Sequence, residues 1–185
     1  ADDVIGNHFE LELDSGDLDA TSTNRAQLVY CHAIDGPLTY KGNTAQTNAL
    51  SDAGVNHIGV VTMGASTYPV GNLHMAGNTI FRPETSPVNA DGEGFAITSA
   101  LVLRECDGAK ISGDSISGSF DIGLYIRDCD SVSVDIDIRN TADGVSTSVE
   151  AAVKIDGSTD ILLAGHLEAE DNTIVTSDVD GLHVS

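Results

Sequence analysis

One short pattern returns along the second half of the chain: a small residue, then apolar, variable, apolar. It stands at Ala100-Leu101-Val102-Leu103, Gly123-Leu124-Tyr125-Ile126, Ala152-Val153-Lys154-Ile155 and Gly181-Leu182-His183-Val184, at intervals of 23, 29 and 29 residues. Period-two alternation of this kind puts both apolar positions on one face of a strand and the variable residue on the other. A second strand follows each of the first three: Ala109-Lys110-Ile111, Val132-Ser133-Val134 and Ile161-Leu162-Leu163. The turns between the two strands place Cys106, Cys129 and Ser158 at equivalent positions. A third strand is predicted around Ile136 and Ile138, matched by Ile116 in the coil before and Leu167 in the coil after.

These units are too short for a strand, helix, strand crossover, and the segments between strands carry Gly, Asp and Ser rather than helical apolar spacing. A single coil cannot bury its apolar face. Stacked coils about 4.8 Å apart can, with Leu, Ile and Val running in continuous columns. The sequence therefore predicts an all-β fold, a parallel β-helix with regular coils over residues 100–185 and less regular ones from residue 57. There, His57-Ile58-Gly59-Val60, Leu73-His74-Met75 and Gly77-Asn78-Thr79-Ile80 lie between proline-bearing loops. Residues 1–56, with the alternating Phe9-Glu10-Leu11-Glu12-Leu13 and the apolar run Leu28-Val29-Tyr30-Cys31, are predicted to form an N-terminal cap or attachment region.

Over residues 100–184 the repeat resembles the right-handed parallel β-helices of the pectate-lyase type, an architecture shared with viral tailspikes and surface spikes. The resemblance implies a solenoid and leaves activity open, because that fold carries lyases, hydrolases and non-catalytic adhesins alike.

Charge narrows the partners. The chain has 29 acidic residues against 8 basic ones, a net charge of -21, with 21 Asp and only three Lys, at 41, 110 and 154. Nucleic acid and anionic membranes would be repelled. No apolar run approaches the roughly 20 residues of a membrane-spanning helix, which excludes insertion by helices. The start Ala1-Asp2-Asp3 has neither a basic nor an apolar signal segment. Scarce Lys and abundant Asp, Ser, Thr, Ala and Val resemble proteins of salt-loving archaea and their viruses, in composition only.

Candidate chemistry gathers on the outward strand face. Val102, Tyr125, Lys154 and His183 make one outward column, and Arg104, Arg127 and Asp156 make the next. Arg104, Tyr125, Arg127, Lys154, Asp156 and His183 thus form a candidate ligand-binding or interface patch. The plainer account is a solvated face on which the arginines neutralise nearby acids. The resemblance to polysaccharide lyases implies a calcium-bound acidic cluster beside a base, which would draw on Arg127 or Lys154 with Asp128 or Asp156, but no diagnostic motif accompanies them. Asp135 and Asp137 project from one strand as a carboxylate pair of the kind glycosidases use. With 21 Asp in the chain, a solvated pair is the ordinary explanation, as it is for Asp128 and Asp130. The histidines are scattered and the three cysteines lack metal spacing, so no metal site and no cofactor are expected. Cys106 and Cys129 should lie one coil apart as free thiols, their side chains parallel rather than facing each other.

Taken together, these features predict a non-catalytic structural protein of the virion surface, a spike, turret or fibre component of a virus with a halophilic host, possessing affinity for host surface glycans. The alternatives are a secreted, extracellular polysaccharide lyase or glycoside hydrolase domain and a halophilic cell-surface adhesin. Only Ser185 follows the fourth motif, so the last coil needs cover. A homo-oligomer is expected to supply it, a trimer or a pentamer at a capsid vertex, with other virion proteins as further partners.

Overall fold

A computed structural model describes residues 2–11, 29–32, 37–47, 59–82, 99–118, 120, 122–141, 150–169 and 179–184. The seventeen strands in these segments are β1 (Asp2–Ile5), β2 (His8–Leu11), β3 (Val29–Cys31), β4 (Leu38–Lys41), β5 (Thr44–Thr47), β6 (Gly59–Met63), β7 (Val70–Gly71), β8 (Leu73–Ala76), β9 (Thr79–Phe81), β10 (Ser99–Arg104), β11 (Cys106–Asp107), β12 (Lys110–Ser117), β13 (Ile122–Arg127), β14 (Asp130–Thr141), β15 (Glu150–Asp156), β16 (Thr159–Ala169) and β17 (Val179–Val184). No helix occurs among the described residues.

The architecture is a parallel β-solenoid. One six-stranded sheet runs β3-β6-β10-β13-β15-β17, so strands separated by whole coils in sequence are neighbours in space. The four repeat motifs lie in register: Leu103 opposite Ile126, Ile126 opposite Ile155, and Ile155 opposite Val184. Met63 and Cys31 extend the same column towards the N-terminus. Leu101, Leu124 and Val153 make the parallel apolar column, and all three are fully buried. At the opening of the motif Ala100 and Leu101 both join the core, which interrupts strict alternation there.

The second sheet has nine strands. Two columns of short strands, β1-β4-β8 and β2-β5-β9, converge on β12, whose first residues pair with β8 and last residues with β9; β14 and β16 continue beyond it. The second and third strands expected in each coil are therefore continuous in β14 and β16. Ile116, Ile138 and Leu167 stand in register as their spacing implied.

Two features lie beyond the reach of the apolar motif. Where residues 1–56 are described, they form β1 to β5, which join both sheets in parallel register. Their repeat escapes a search for the apolar motif because it resides in a turn. Gly6-Asn7, Gly42-Asn43, Gly77-Asn78 and Gly113-Asp114 recur at intervals of 36, 35 and 36 residues. Each of these glycines has φ between 61° and 66°, a left-handed conformation that glycine adopts without steric cost. The residue after it turns inward. Asn7 N–H donates to Asn43 Oδ1, Asn43 N–H to Asn78 Oδ1, and Asn78 N–H to Asp114 Oδ1, each at 2.9 Å. This polar ladder satisfies buried backbone groups at every corner. It stops at Asp114 because the next coil lacks the inserted glycine: Ser112 pairs with Asp135, Asp114 with Ile136, and Gly113 is passed over.

The second feature is the burial of part of the outward column. Val102 and Tyr125 are buried, and with Ile122 they form a small apolar cluster apart from the main core. Lying outside the coil is not the same as facing water, because side chains on rungs one strand spacing apart cover one another.

Candidate functional site

The structure brings together most of the residues predicted for the outward face. Registered pairing sets Val102, Tyr125, Lys154 and His183 in one row and Arg104, Arg127 and Asp156 in the next. The side chain of His183 lies outside what the structure describes; its backbone continues the row.

At the centre is Asp156. Its Oδ2 accepts a hydrogen bond from the Tyr125 hydroxyl at 2.5 Å and lies 3.3 Å from Lys154 Nζ. The Lys154 ammonium also sits 5.1 Å from the centroid of the Tyr125 ring, within cation–π range. The Lys154 side chain is only 12% exposed and that of Asp156 24%, so this ion pair is shielded more than a surface pair. Burial pushes the Tyr125 hydroxyl above its ordinary pKa, and the hydrogen bond to Asp156 adds to the rise. Tyr125 is consequently a phenol at neutral pH, and the Asp156 carboxylate is engaged. Such a cluster locks two rungs together; it offers neither a free base nor a free nucleophile. Tyr125→Phe should lower stability by about 1–2 kcal/mol, the range for a partly shielded hydrogen bond to a charged acceptor. Urea unfolding with an unchanged midpoint would show that the bond contributes nothing.

The arginines behave differently from each other. Arg127 Nε lies 3.3 Å from Asp128 Oδ2 with both side chains more than 40% exposed, a solvated pair of small energetic weight. Arg104, one rung away, is half-buried and its Nε has no hydrogen-bond acceptor. Of the carboxylate pair, Asp135 is exposed, and Asp137 is held by Arg139, whose Nη2 lies 2.9 Å away. That guanidinium keeps the Asp137 carboxyl below its usual range, the opposite direction from the raised acid of glycoside hydrolysis.

Cys106, Cys129 and Ser158 stack at the corner as their equivalent positions implied. Cys106 N–H donates to Cys129 Sγ at 3.3 Å, and Cys129 N–H to Ser158 Oγ at 3.0 Å. Both thiols are free and buried. Hydrogen bonding to Cys129 and burial hold the Cys106 thiol protonated. Among the described residues, no group of three or more His, Cys, Asp or Glu converges to hold a metal.

A second feature lies on the same outward face at the N-terminal end of the stack. Tyr30 continues the row through Thr62 to Val102. Its ring centroid is 4.5 Å from that of His32, and His32 is 5.3 Å from Tyr68. Tyr30 is 47% exposed and Tyr68 52%. The sequence held one signal for it: Tyr30 and His32, two residues apart, fall on one strand face. Tyr68 comes from a hairpin that no strand pattern announces.

No protein-family model matches the chain, and no curated protein matches it. Among solved structures, it is similar to a crystal structure from Parabacteroides merdae ATCC 43184 provisionally assigned as a glycosyl hydrolase, at 11% sequence identity and a TM-score of 0.43, over 85% of this chain and 75% of that one. A likeness of that size transfers neither activity nor site residues.

Proposed function

We propose that the protein is a non-catalytic structural β-solenoid displayed at the surface of a virus particle from a high-salt environment, where its outer strand face engages a glycan of the host surface. The observation that carries the non-catalytic part is the pairing of the outer-face charges with one another. Asp156 on the six-stranded sheet is taken up by Tyr125 and Lys154, and Asp137 on the nine-stranded sheet by Arg139, so neither of these two carboxylates stands unengaged. The high-salt setting rests on the net charge of -21. The experiment is incubation with polysaccharides in molar salt, scoring binding and release of reducing or unsaturated ends together. Binding without product supports the reading; product release replaces it with a lyase or hydrolase. Co-sedimentation with virions tests the location, and absence from them favours a cell-surface adhesin.

Assembly into a homo-oligomer belongs to the same proposal. In the sheet containing β16, that strand has a neighbour on one side only among the described residues. Its Leu162 is 65% exposed, and its Ile161, Leu163 and Leu167 are only partly covered, whereas Val132, Val134 and Ile138 one rung inward are buried. An uncovered edge of this kind pairs readily with another chain. Light scattering in molar salt should report a trimer or pentamer; a monomer at micromolar concentration contradicts the assembly.

Salt dependence supplies a further test. Lowering ionic strength from 1 M to 0.01 M lengthens the screening distance from about 3 Å to about 30 Å and strengthens carboxylate repulsion. The melting temperature should fall steadily as salt is removed. Equal melting temperatures across that range would contradict adaptation to salt.

A further inference from the structure

We infer that the aromatic row Tyr30, His32 and Tyr68 is the glycan-contacting surface and that its ligand is an uncharged saccharide. This inference rests on the glycan-binding reading above and assigns that role to residues outside the patch around Asp156.

The starting point is where a chain with few aromatics places them. It has four tyrosines and no tryptophan. Tyr40 is in the core and Tyr125 is buried in the Asp156 cluster. The other two are exposed and share one neighbour, His32, itself exposed. Leaving two large rings in water forgoes the burial free energy each would gain in the core, and their mutual contact through His32 makes a continuous surface rather than scattered exposure.

The row is also firmly mounted. Tyr30 lies on β3, paired in parallel with β6. Tyr68 closes a two-residue turn in which Ala65 N–H donates to Tyr68 O at 3.1 Å and Tyr68 N–H to Ala65 O at 2.9 Å. Gly64 N–H, at the base of that turn, donates to Cys31 O at 2.7 Å, tying the hairpin to the strand that carries Tyr30 and His32. Pre-set rings lose little freedom on binding. The turn residues Ser66 and Thr67, which precede Tyr68, are exposed.

Ligand class follows from this composition. Every ring in the row has a polar atom at its edge, a phenol hydroxyl on Tyr30 and Tyr68 and ring nitrogens on His32. A pyranose presents an apolar C–H face to a ring and hydroxyls around its rim, which suits rings that each end in a polar atom. Neither the row nor its turn holds a lysine or arginine that could pair with a uronate or sulfate at contact distance, which leaves uncharged sugars.

The test is binding of the full chain, in molar salt, to an immobilised α-glucan, β-glucan and mannan, with a polyuronate as the anionic probe. The wild type should bind at least one uncharged polymer and not the polyuronate. Tyr30→Ala and Tyr68→Ala should each weaken binding by about tenfold, as truncation of a central aromatic contact does. Tyr30→Phe should retain most of it, and Tyr125→Phe should leave it unchanged. Equal melting temperatures for the alanine variants and the wild type confirm that the rings act at the surface. Glycan binding that survives both alanine substitutions overturns the placement while leaving the glycan reading intact. Failure of the wild type to bind any probe overturns both. Loss of self-association in the alanine variants, with no glycan binding by the wild type, assigns the row to a contact between copies instead.

Discussion

Ile126→Asp should abolish the folded state even in molar salt. Ile126 has no exposed surface and lies between Leu103 and Ile155 in the central apolar column. Removing its branched side chain alone costs about 2–5 kcal/mol. An aspartate there adds either an unpaired buried charge or the work of protonating it, several kcal/mol more. The sum is comparable to the whole net stability of a domain, about 5–15 kcal/mol. Parallel rungs also share the damage, because each supplies the surface on which its neighbours pack. Ile126→Val, which keeps the apolar character, should cost only about 0.5–1.5 kcal/mol. Circular dichroism melts of the two variants check this, and a wild-type melting temperature for Ile126→Asp would contradict the burial of that column.

Asp114→Asn should stabilise the protein, and by more at high pH than at low. In Asn43 and Asn78 one side-chain atom, Oδ1, accepts from the ladder residue before it. The other, Nδ2, donates to a carbonyl: Asn43 to Val4 O at 2.8 Å and Asn78 to Tyr40 O at 2.9 Å. Asp114 repeats the first half of the pattern, accepting from Asn78 N–H and Asn78 Nδ2 through Oδ1. Its Oδ2 takes the place of the donor, and it is buried with no hydrogen-bond partner. Met75 occupies the register position of Val4 and Tyr40, so an amide at 114 would face the Met75 carbonyl.

Burial raises the pKa of Asp114 above its ordinary value, opposed by its hydrogen bonds from Asn78 and from the Ser112 backbone and by nearby His74. The other ionisable group facing it is the core phenol of Tyr40, itself raised mainly by burial. With the folded pKa above the unfolded one, the stability that Asp114 contributes is complete below about pH 4 and is lost as pH rises through the folded value. Asparagine removes that loss and fills the empty donor position, a gain of about 1–3 kcal/mol above the folded pKa. The difference in melting temperature between Asp114→Asn and wild type should therefore widen from about pH 4 to about pH 8. A difference that is constant or shrinks over that range would show that Asp114 is not a buried acid.

The apolar columns were legible in the sequence because a strand repeats every two residues and a stacked coil repeats its whole motif: Leu103, Ile126, Ile155 and Val184 could be aligned by spacing alone. The Gly-Asn corners were harder to see. A two-residue turn signal recurring at intervals of 35 and 36 residues, across intervening loops, does not stand out against 19 glycines. Hence β1 to β5 read as a cap. The outward face was half legible. Alternation places Tyr125, Lys154 and Asp156 outside the coil, yet it cannot show that Tyr125 reaches across one rung to the carboxylate that Lys154 meets from its own strand. The exposed row was missed for a similar reason, since Tyr68 meets His32 only through a hairpin that folds back on the strand.

Every placement on the outer face depends on the in-register stack, and methyl NOEs test that stack without perturbing it. In a sample labelled at Leu and Ile methyl groups, Ile126 should show cross-peaks to both Leu103 and Ile155, because registered rungs stand about 4.8 Å apart. Observation of both contacts from one methyl group is the result the parallel solenoid predicts. An Ile126 methyl group in contact with neither residue would contradict it.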